Sequence, residues 1–159
     1  MTTSLTHWAG ALSSAWGIDA TLDALAGEGL RLSKVHLSNA LAFDPADPAA
    51  LAAIRAFDEP TYLHQVVLRH ADGGHTRFLD LPEFLAQCAA PGAPPEPALA
   101  GRIHFHIPLD ADPAPPLQPT RRHVIDTLDW LRDHPRACPQ LEIETYTWEV
   151  LPPTLQRPL

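Results

Sequence analysis

Four short segments of this chain alternate apolar and polar residues with a period of two, and this pattern constrains the fold more than any other feature. The segments are 34–38, 62–66, 103–107 and 141–145. In a β-strand, the side chains of residues i and i+2 lie on the same face. The alternation therefore predicts four strands, each with histidine or glutamate on one face and aliphatic or aromatic residues on the other.

Helical patterns lie between and beside these predicted strands. Apolar residues at helical spacing, together with capping signals, predict helices over 18–28, 49–57, 82–88 and 120–133. Asp47 and Thr120 are predicted N-caps, and Pro48 suits the first helical position. Strands that alternate with helices are typical of βα units and a mostly parallel sheet, so the sequence predicts an α/β fold.

Turn-forming residues predict one excursion from this alternation. Segment 61–69 is followed by Asp72-Gly73-Gly74 and then by 76–81, which together predict a β-hairpin. Proline-rich loops are expected at 89–100 and 110–119. The chain is predicted to be one domain over 1–159, with a poorly defined segment 1–17, a body over 18–153 and a tail over 154–159.

Composition limits the class of partner. The net charge is −8, and no cluster of Lys and Arg is apparent in the sequence, so nucleic acid and anionic lipid are disfavoured as partners. Cys88 and Cys138 lie in no metal-ligand spacing and are predicted to be free thiols in a reducing compartment. The opening residues lack the features of an export signal, and no apolar run reaches the roughly 18 residues of a membrane span. We therefore expect a cytoplasmic protein.

The predicted polar faces combine imidazoles with carboxylates. In parallel α/β sheets, ligands bind at the carboxyl ends of the strands, where His36, His106 and Glu144 are expected. Such a donor set suits Zn²⁺, Mn²⁺ or Mg²⁺. A bound metal could polarise a carbonyl or hydroxyl group of a sugar while a carboxylate moves a proton at the adjacent carbon.

Five motifs, in order along the chain, resemble the carboxyl-terminal half of EboE-type metabolite-traffic proteins, which belong to the xylose-isomerase-like sugar-phosphate isomerase/epimerase barrels. The motifs are Lys34-Val35-His36-Leu37-Ser38-Asn39-Ala40-Leu41, Tyr62-Leu63-His64-Gln65-Val66, Phe78-Leu79-Asp80-Leu81-Pro82, Arg102-Ile103-His104-Phe105-His106-Ile107-Pro108 and Glu142-Ile143-Glu144-Thr145-Tyr146-Thr147-Trp148-Glu149-Val150-Leu151-Pro152. The resemblance covers residues 20–153.

This resemblance implies a partial (β/α)8 TIM barrel, about the carboxyl-terminal half, with parallel strands, flanking helices and the β-hairpin excursion. It also implies a divalent-metal pocket that binds a small metabolite or sugar phosphate. A complete barrel takes about 250 residues, so a homodimer of this chain is expected if two copies close one barrel. No counterpart of the earlier strands of such a barrel is visible in residues 1–19.

The resemblance also assigns roles to residues. It implies His36, His106 and Glu144 as metal ligands and Glu144 as the acid or base of an isomerase-like reaction, with His64 a second catalytic candidate.

Five neighbouring residues are expected to support the pocket. His104 would orient a ligand, and Glu142 would pair with Lys34. Tyr146 and Trp148 could stack on the metabolite or simply close the end of the barrel.

Two alternatives remain open at the level of sequence. The first is a non-catalytic or degenerate metabolite-binding module that uses the same pocket. The second is a cupin-like β-barrel, in which the histidines at 104 and 106 and Asp110 would bind a metal. The predicted helix over 120–133 disfavours the cupin, because a jelly roll would continue in strands.

Overall fold

The computed structural model describes residues 2–6, 18–90, 98–137, 140–144 and 148–156. The described strands are β1 (Thr2–Thr6), β2 (Arg31–Leu37), β3 (Asn39–Phe43), β4 (Val66–His70), β5 (His75–Phe78), β6 (Ala98–Ile107), β7 (Gln118–Pro119) and β8 (Leu141–Ile143). The α-helices are α1 (Ile18–Gly27), α2 (Pro48–Ala53), α3 (Leu81–Ala89) and α4 (Arg121–Asp133), and short 3-10 helices cover Ile54–Phe57 and Trp148–Val150. None of the described helices is long and apolar enough to cross a membrane.

The described strands form two sheets, and the predicted partial TIM barrel is wrong. The larger sheet has the order β5-β4-β6-β3-β7, and each of its four pairings is antiparallel. Only the smaller sheet, with the order β1-β2-β8, is parallel. The predicted hairpin is present and is formed by β4 and β5. It is part of the large antiparallel sheet and not an excursion from a parallel sheet. A homodimer that completes a barrel therefore loses its structural basis.

The larger core lies on one face of the five-stranded sheet. Fully buried side chains of β4, β6 and α3, among them Leu68, Ile103 and Phe84, pack together there. The Phe105 ring meets the Phe57 ring edge-on, with 5.0 Å between centroids. Full burial of one such side chain contributes about 1.5–3 kcal/mol, so this face holds most of the apolar stabilisation of the described chain.

A smaller core lies between the parallel sheet and the two long helices. Val35 and Leu37 of β2 pack there with Leu22 of α1 and Trp130 of α4. The Trp130 Nε1–H group donates a hydrogen bond of 2.7 Å to Asp23, so the indole is satisfied at the edge of this core.

The predicted alternation holds on β2 and β6 and fails on the other two segments. On β6, the side chains of Ile103 and Phe105 enter the larger core, and those of His104 and His106 lie on the opposite face. Residues 62–65 are not a strand, because β4 begins only at Val66. On β8, the predicted apolar face is not buried, because both of its apolar side chains are exposed.

Candidate functional site

Histidine and glutamate side chains from both sheets meet in one place. We call this group the histidine–glutamate cluster; its members are His36 of β2, His104 and His106 of β6, Glu142 of β8 and Glu144 just after β8. Glu144 joins the two sheets through its backbone. Its N–H donates to Leu37 O at 2.9 Å, and its C=O accepts from His106 Nδ1 at 3.3 Å.

The imidazole of His36 lies between two carboxylates. Its Nε2 atom is 3.1 Å from Glu142 Oε2, and its Nδ1 atom is 3.6 Å from Glu144 Oε2. Neither approach has the geometry of a hydrogen bond, so both ring nitrogens of His36 and the Oε2 atom of Glu144 are buried without a hydrogen-bond partner among the described residues. Buried polar atoms are normally hydrogen-bonded, so these three atoms mark a place where a further group is expected.

Lys34 supports this arrangement from the outside. Its Nζ atom donates to Glu142 Oε2 at 2.9 Å, as the sequence predicts. The hydrogen bond from Lys34 lowers the pKa of Glu142 below its usual range, and the positive charge of Lys34 acts in the same direction. Glu142 is therefore an anion at neutral pH beside the imidazole of His36.

His104 and His106 form a neutral pair. Burial, and then the positive charges that His106 and His64 would carry, lower the pKa of His104 to about 3. Burial also lowers the pKa of His106, although Glu144 opposes the shift. The two Nε2 atoms are 2.7 Å apart. Because His106 Nδ1–H donates to the Glu144 carbonyl, its Nε2 atom must accept, and the Nε2–H group of His104 is the donor.

His64 lies next to the cluster and is held by a residue that the sequence reasoning missed. Its Nε2 atom is 2.8 Å from Glu59 Oε1, and its Nδ1 atom is 3.3 Å from the carbonyl oxygen of His104. Glu59 also accepts hydrogen bonds from the backbone N–H groups of Thr61 and Tyr62. Burial raises the pKa of Glu59, but these hydrogen bonds outweigh it, and the net pKa lies below the usual range.

The geometry gives His64 a definite structural part. Its imidazole is fully buried and packs on the ring of Phe105, with 4.6 Å between centroids. Both of its nitrogens face acceptors, so it fastens the 59–64 segment to β6. Its catalytic role remains a prediction. In the sequence, the contact of Glu59 with His64 is indicated only by the position of Glu59, five residues before His64 in the sequence Asp-Glu-Pro.

Two predicted residues of the pocket are Tyr146 and Trp148. Tyr146 lies outside the described residues. Trp148 begins the second 3-10 helix, and its side chain lies outside the described part of the chain. The cupin alternative fails on architecture, because the described residues form an α/β fold and not an all-β jelly roll.

The predicted metal ligands are close together but are not grouped around one point. Within the described ranges, no three histidine, cysteine, aspartate or glutamate side chains could hold one metal ion. Both ring nitrogens of His106 are already engaged, with Glu144 O and with His104. His36 Nδ1 and Glu144 Oε2 remain as two donor atoms, which do not by themselves fit a resident metal centre. Binding of a divalent metal by His36, His106 and Glu144 therefore remains a prediction.

Comparisons with models of protein families, with curated proteins and with solved structures found no match. The resemblance to EboE-type proteins therefore remains a prediction as well.

Proposed function

We propose that the histidine–glutamate cluster binds a small polar metabolite between His36 and Glu144. The observation that carries the proposal is a set of three buried atoms that form no hydrogen bond with the described residues: both ring nitrogens of His36 and Glu144 Oε2. One hydroxyl group of a ligand could satisfy two of them. It would accept from an N–H group of His36 and donate to the carboxylate of Glu144.

The same pair is suited to moving a proton. An imidazole and a carboxylate within reach of one hydroxyl or carbonyl group can act as general acid and general base. Isomerases and epimerases need such a pair at adjacent carbons, so the proposal agrees with the activity that the resemblance implies. The neutral His104–His106 pair fixes the Glu144 backbone and thereby the position of the carboxylate-bearing residue.

A divalent cation is the second candidate ligand, because two donor atoms face each other at a suitable distance. Metal–nitrogen and metal–oxygen bonds of about 2.0–2.2 Å place two ligands of one ion about 3–3.5 Å apart. His36 Nδ1 and Glu144 Oε2 are 3.6 Å apart. A cation here would need ligands beyond these two, since the described residues supply no third.

One binding experiment tests both candidates. A panel of sugars, sugar alcohols and hydroxy acids is titrated into the protein in the presence of EDTA, and Zn²⁺, Mn²⁺ and Mg²⁺ are titrated separately without it. Heat of binding is recorded for the wild type and for the His36→Gln and Glu144→Gln variants. His134→Gln is the matched control, because this exposed histidine lies at the end of α4.

We expect a polyhydroxylated compound to bind and either cluster variant to weaken that binding at least about tenfold, while His134→Gln leaves it unchanged. If only a cation binds, and both cluster variants weaken its binding, the ligand of the site is the metal and not a metabolite. Binding that both cluster variants leave unchanged would refute a site between His36 and Glu144.

A further inference from the structure

The second face of the five-stranded sheet concentrates positive charge. Arg77 of β5 and Arg102 of β6 both pair with Val67, one from each side. Arg69 lies two residues after Val67 on β4 and therefore shares the same face. Three adjacent strands thus carry arginines on one surface, opposite the larger core. We call Arg69, Arg77 and Arg102 the basic face.

The clustering of these arginines is unusual for this chain. The sequence has 11 Lys and Arg residues against 19 Asp and Glu, yet the basic face and Arg122 at its margin place four arginines in one neighbourhood. Like charges on neighbouring strands repel one another and cost stability. Such an arrangement is typical of a surface that binds an anion.

Burial and neighbouring positive charge both lower pKa values at this surface. Burial, and then the charge of Arg69, lower the pKa of Arg102 to about 10. Burial, and then the charge of Arg102, lower the pKa of His123 to about 4. Two carboxylates of the described residues lie near this surface: Asp126, which pairs with Arg122 at 2.6 Å, and Asp72, which lies near His75.

A cavity adjoins the basic face at the start of α4. It has a volume of about 270 Å³, and its lining includes Arg102, Arg122, His123 and Thr120. Thr120 precedes the helix but does not cap it, because its hydroxyl group accepts from Ala40 N at 2.9 Å. The positive end of the helix dipole therefore adds to the charge of the arginines in the same cavity.

We propose that this cavity binds the phosphate group of a small ligand, either inorganic phosphate or a phosphate monoester. Guanidinium groups donate paired hydrogen bonds to phosphate oxygens, and Arg102 and Arg122 both line the cavity. The site is distinct from the proposed metabolite site between His36 and Glu144, because neither of these residues lines the cavity. On β6, Arg102 shares a face with His104, about 7 Å along the strand, and with His106, roughly 13 Å along it.

Titration with inorganic phosphate and with glycerol 3-phosphate tests this site directly. Binding is measured by calorimetry at low ionic strength, with glucose and chloride as negative controls, and amide shifts near Gly101 and Arg122 locate it. We expect Arg102→Gln to weaken binding at least about tenfold and Arg69→Gln to weaken it less. Arg132→Gln is the matched control, because this exposed arginine near the other end of α4 pairs with Asp129.

An opposite change should strengthen binding. Asp126→Asn removes the carboxylate that lines the cavity and pairs with Arg122, so we expect phosphate to bind about three- to tenfold more tightly. Inorganic phosphate and the monoester should bind equally if only the phosphate group is recognised, and tighter binding of the monoester would identify it as the ligand class.

Several results would overturn the proposal. These are the absence of phosphate binding, binding that Arg102→Gln and Arg69→Gln leave within about twofold, or an equal loss in Arg132→Gln, which would indicate a general charge effect. Circular dichroism of each variant checks that it is folded. His36→Gln should leave phosphate binding unchanged, so failure of this site and failure of the proposed metabolite site are distinguishable.

Discussion

Two neutral histidines hydrogen-bonded to each other hold the centre of the candidate site. Because His106 donates to a carbonyl and accepts from His104, each ring is fixed in one tautomer. Protonation of the His106 ring would break this arrangement, since two Nε2–H donors would then face each other. Burial lowers the pKa of both histidines, so they are neutral near pH 7. The hydrogen-bonded arrangement of the site therefore depends on pH.

Acid should therefore destabilise the protein before its carboxylates titrate. The folded state lowers the pKa of His104 to about 3 and that of His123 to about 4, whereas a histidine in the unfolded chain titrates near 6.5. Between these values the unfolded chain binds more protons, so stability is complete above pH of about 6.5 and falls as the pH decreases. The slope is at most about 1.4 kcal/mol per pH unit for each histidine.

Unfolding with guanidinium chloride at pH values from about 7.5 to 4.5 measures this slope. His123→Gln should flatten it, and the exposed His134→Gln control should not. NMR can monitor the protonation of each imidazole ring as the pH is changed. A midpoint near 6.5 for the ring of His104 or His123 would contradict the expectation.

At the same scale, the sequence predicted some neighbours and missed others. The shared face of His104 and His106 is confirmed, because it depends only on strand periodicity. Lys34 pairs with Glu142 as expected, but this contact also requires β2 and β8 to be neighbours in one sheet. The contact between Glu59 and His64 was not predictable in this way. It forms in a turn, where no period relates one side chain to the next.

At the scale of elements, local signals predicted helices and turns well. The helix predicted over 18–28 is Ile18–Gly27, and Asp47 caps α2 as expected, with Ala49 N donating to its carboxylate at 2.8 Å. The Asp72-Gly73-Gly74 turn connects β4 and β5, and Gly73 takes the positive φ that favours glycine. Each of these features is encoded within a few neighbouring residues.

Strand direction was not predictable from the same signals. The order of strands and helices favours a parallel sheet, but β3 begins two residues after β2 ends and joins the other sheet. The antiparallel pairing of β6 with β3 and β4 is decided by contacts between residues distant in sequence. Apolar periodicity indicates which face of a strand is buried, but it does not indicate the direction of the neighbouring strand.

Gly101 allows β6 and β3 to pack closely. A Cβ atom at this position would lie 2.3–2.8 Å from atoms of the Phe43 ring, which is itself buried against Phe84. Gly101→Ala should therefore lower the free energy of unfolding by about 1–3 kcal/mol, because the ring has little room to move. Urea unfolding measures the change.

Two further variants sharpen this prediction. Phe43→Leu in the Gly101→Ala background should recover part of the loss relative to additivity, since the smaller side chain makes room for the methyl group. Gly27→Ala is the control, because no atom of the described residues lies within 4 Å of a Cβ atom there. An equal effect of the alanine at both glycines would show that close packing against Phe43 is not the cause.

At the scale of the whole molecule, the two cores differ greatly in size. The larger core includes residues of β3, β4, β6, α2 and α3, whereas the smaller core has six buried members among the described residues, from α1, β2 and α4. The smaller sheet also ends at the three-residue strand β8, whose apolar side chains are exposed. We therefore expect the parallel sheet to open more readily than the antiparallel one.

Native-state hydrogen exchange measures this difference at two comparable amides. His104 N–H is bonded to Gln65 O at 2.8 Å in the large sheet, and Val35 N–H is bonded to Gln140 O at 3.0 Å in the small one. The amide of His104 should exchange at least about tenfold more slowly, because its opening requires disruption of the larger core.

Paired core substitutions distinguish local opening from global unfolding. Leu37→Ala, in the smaller core, should accelerate exchange at Val35 while leaving His104 nearly unchanged. Leu68→Ala, in the larger core, should accelerate exchange at both amides, because the smaller sheet is joined to the larger one through Glu144 and His106. Equal protection of the two amides in the wild type, with equal responses to both substitutions, would instead mean that the described chain opens as one cooperative unit and that the histidine–glutamate cluster lies inside it.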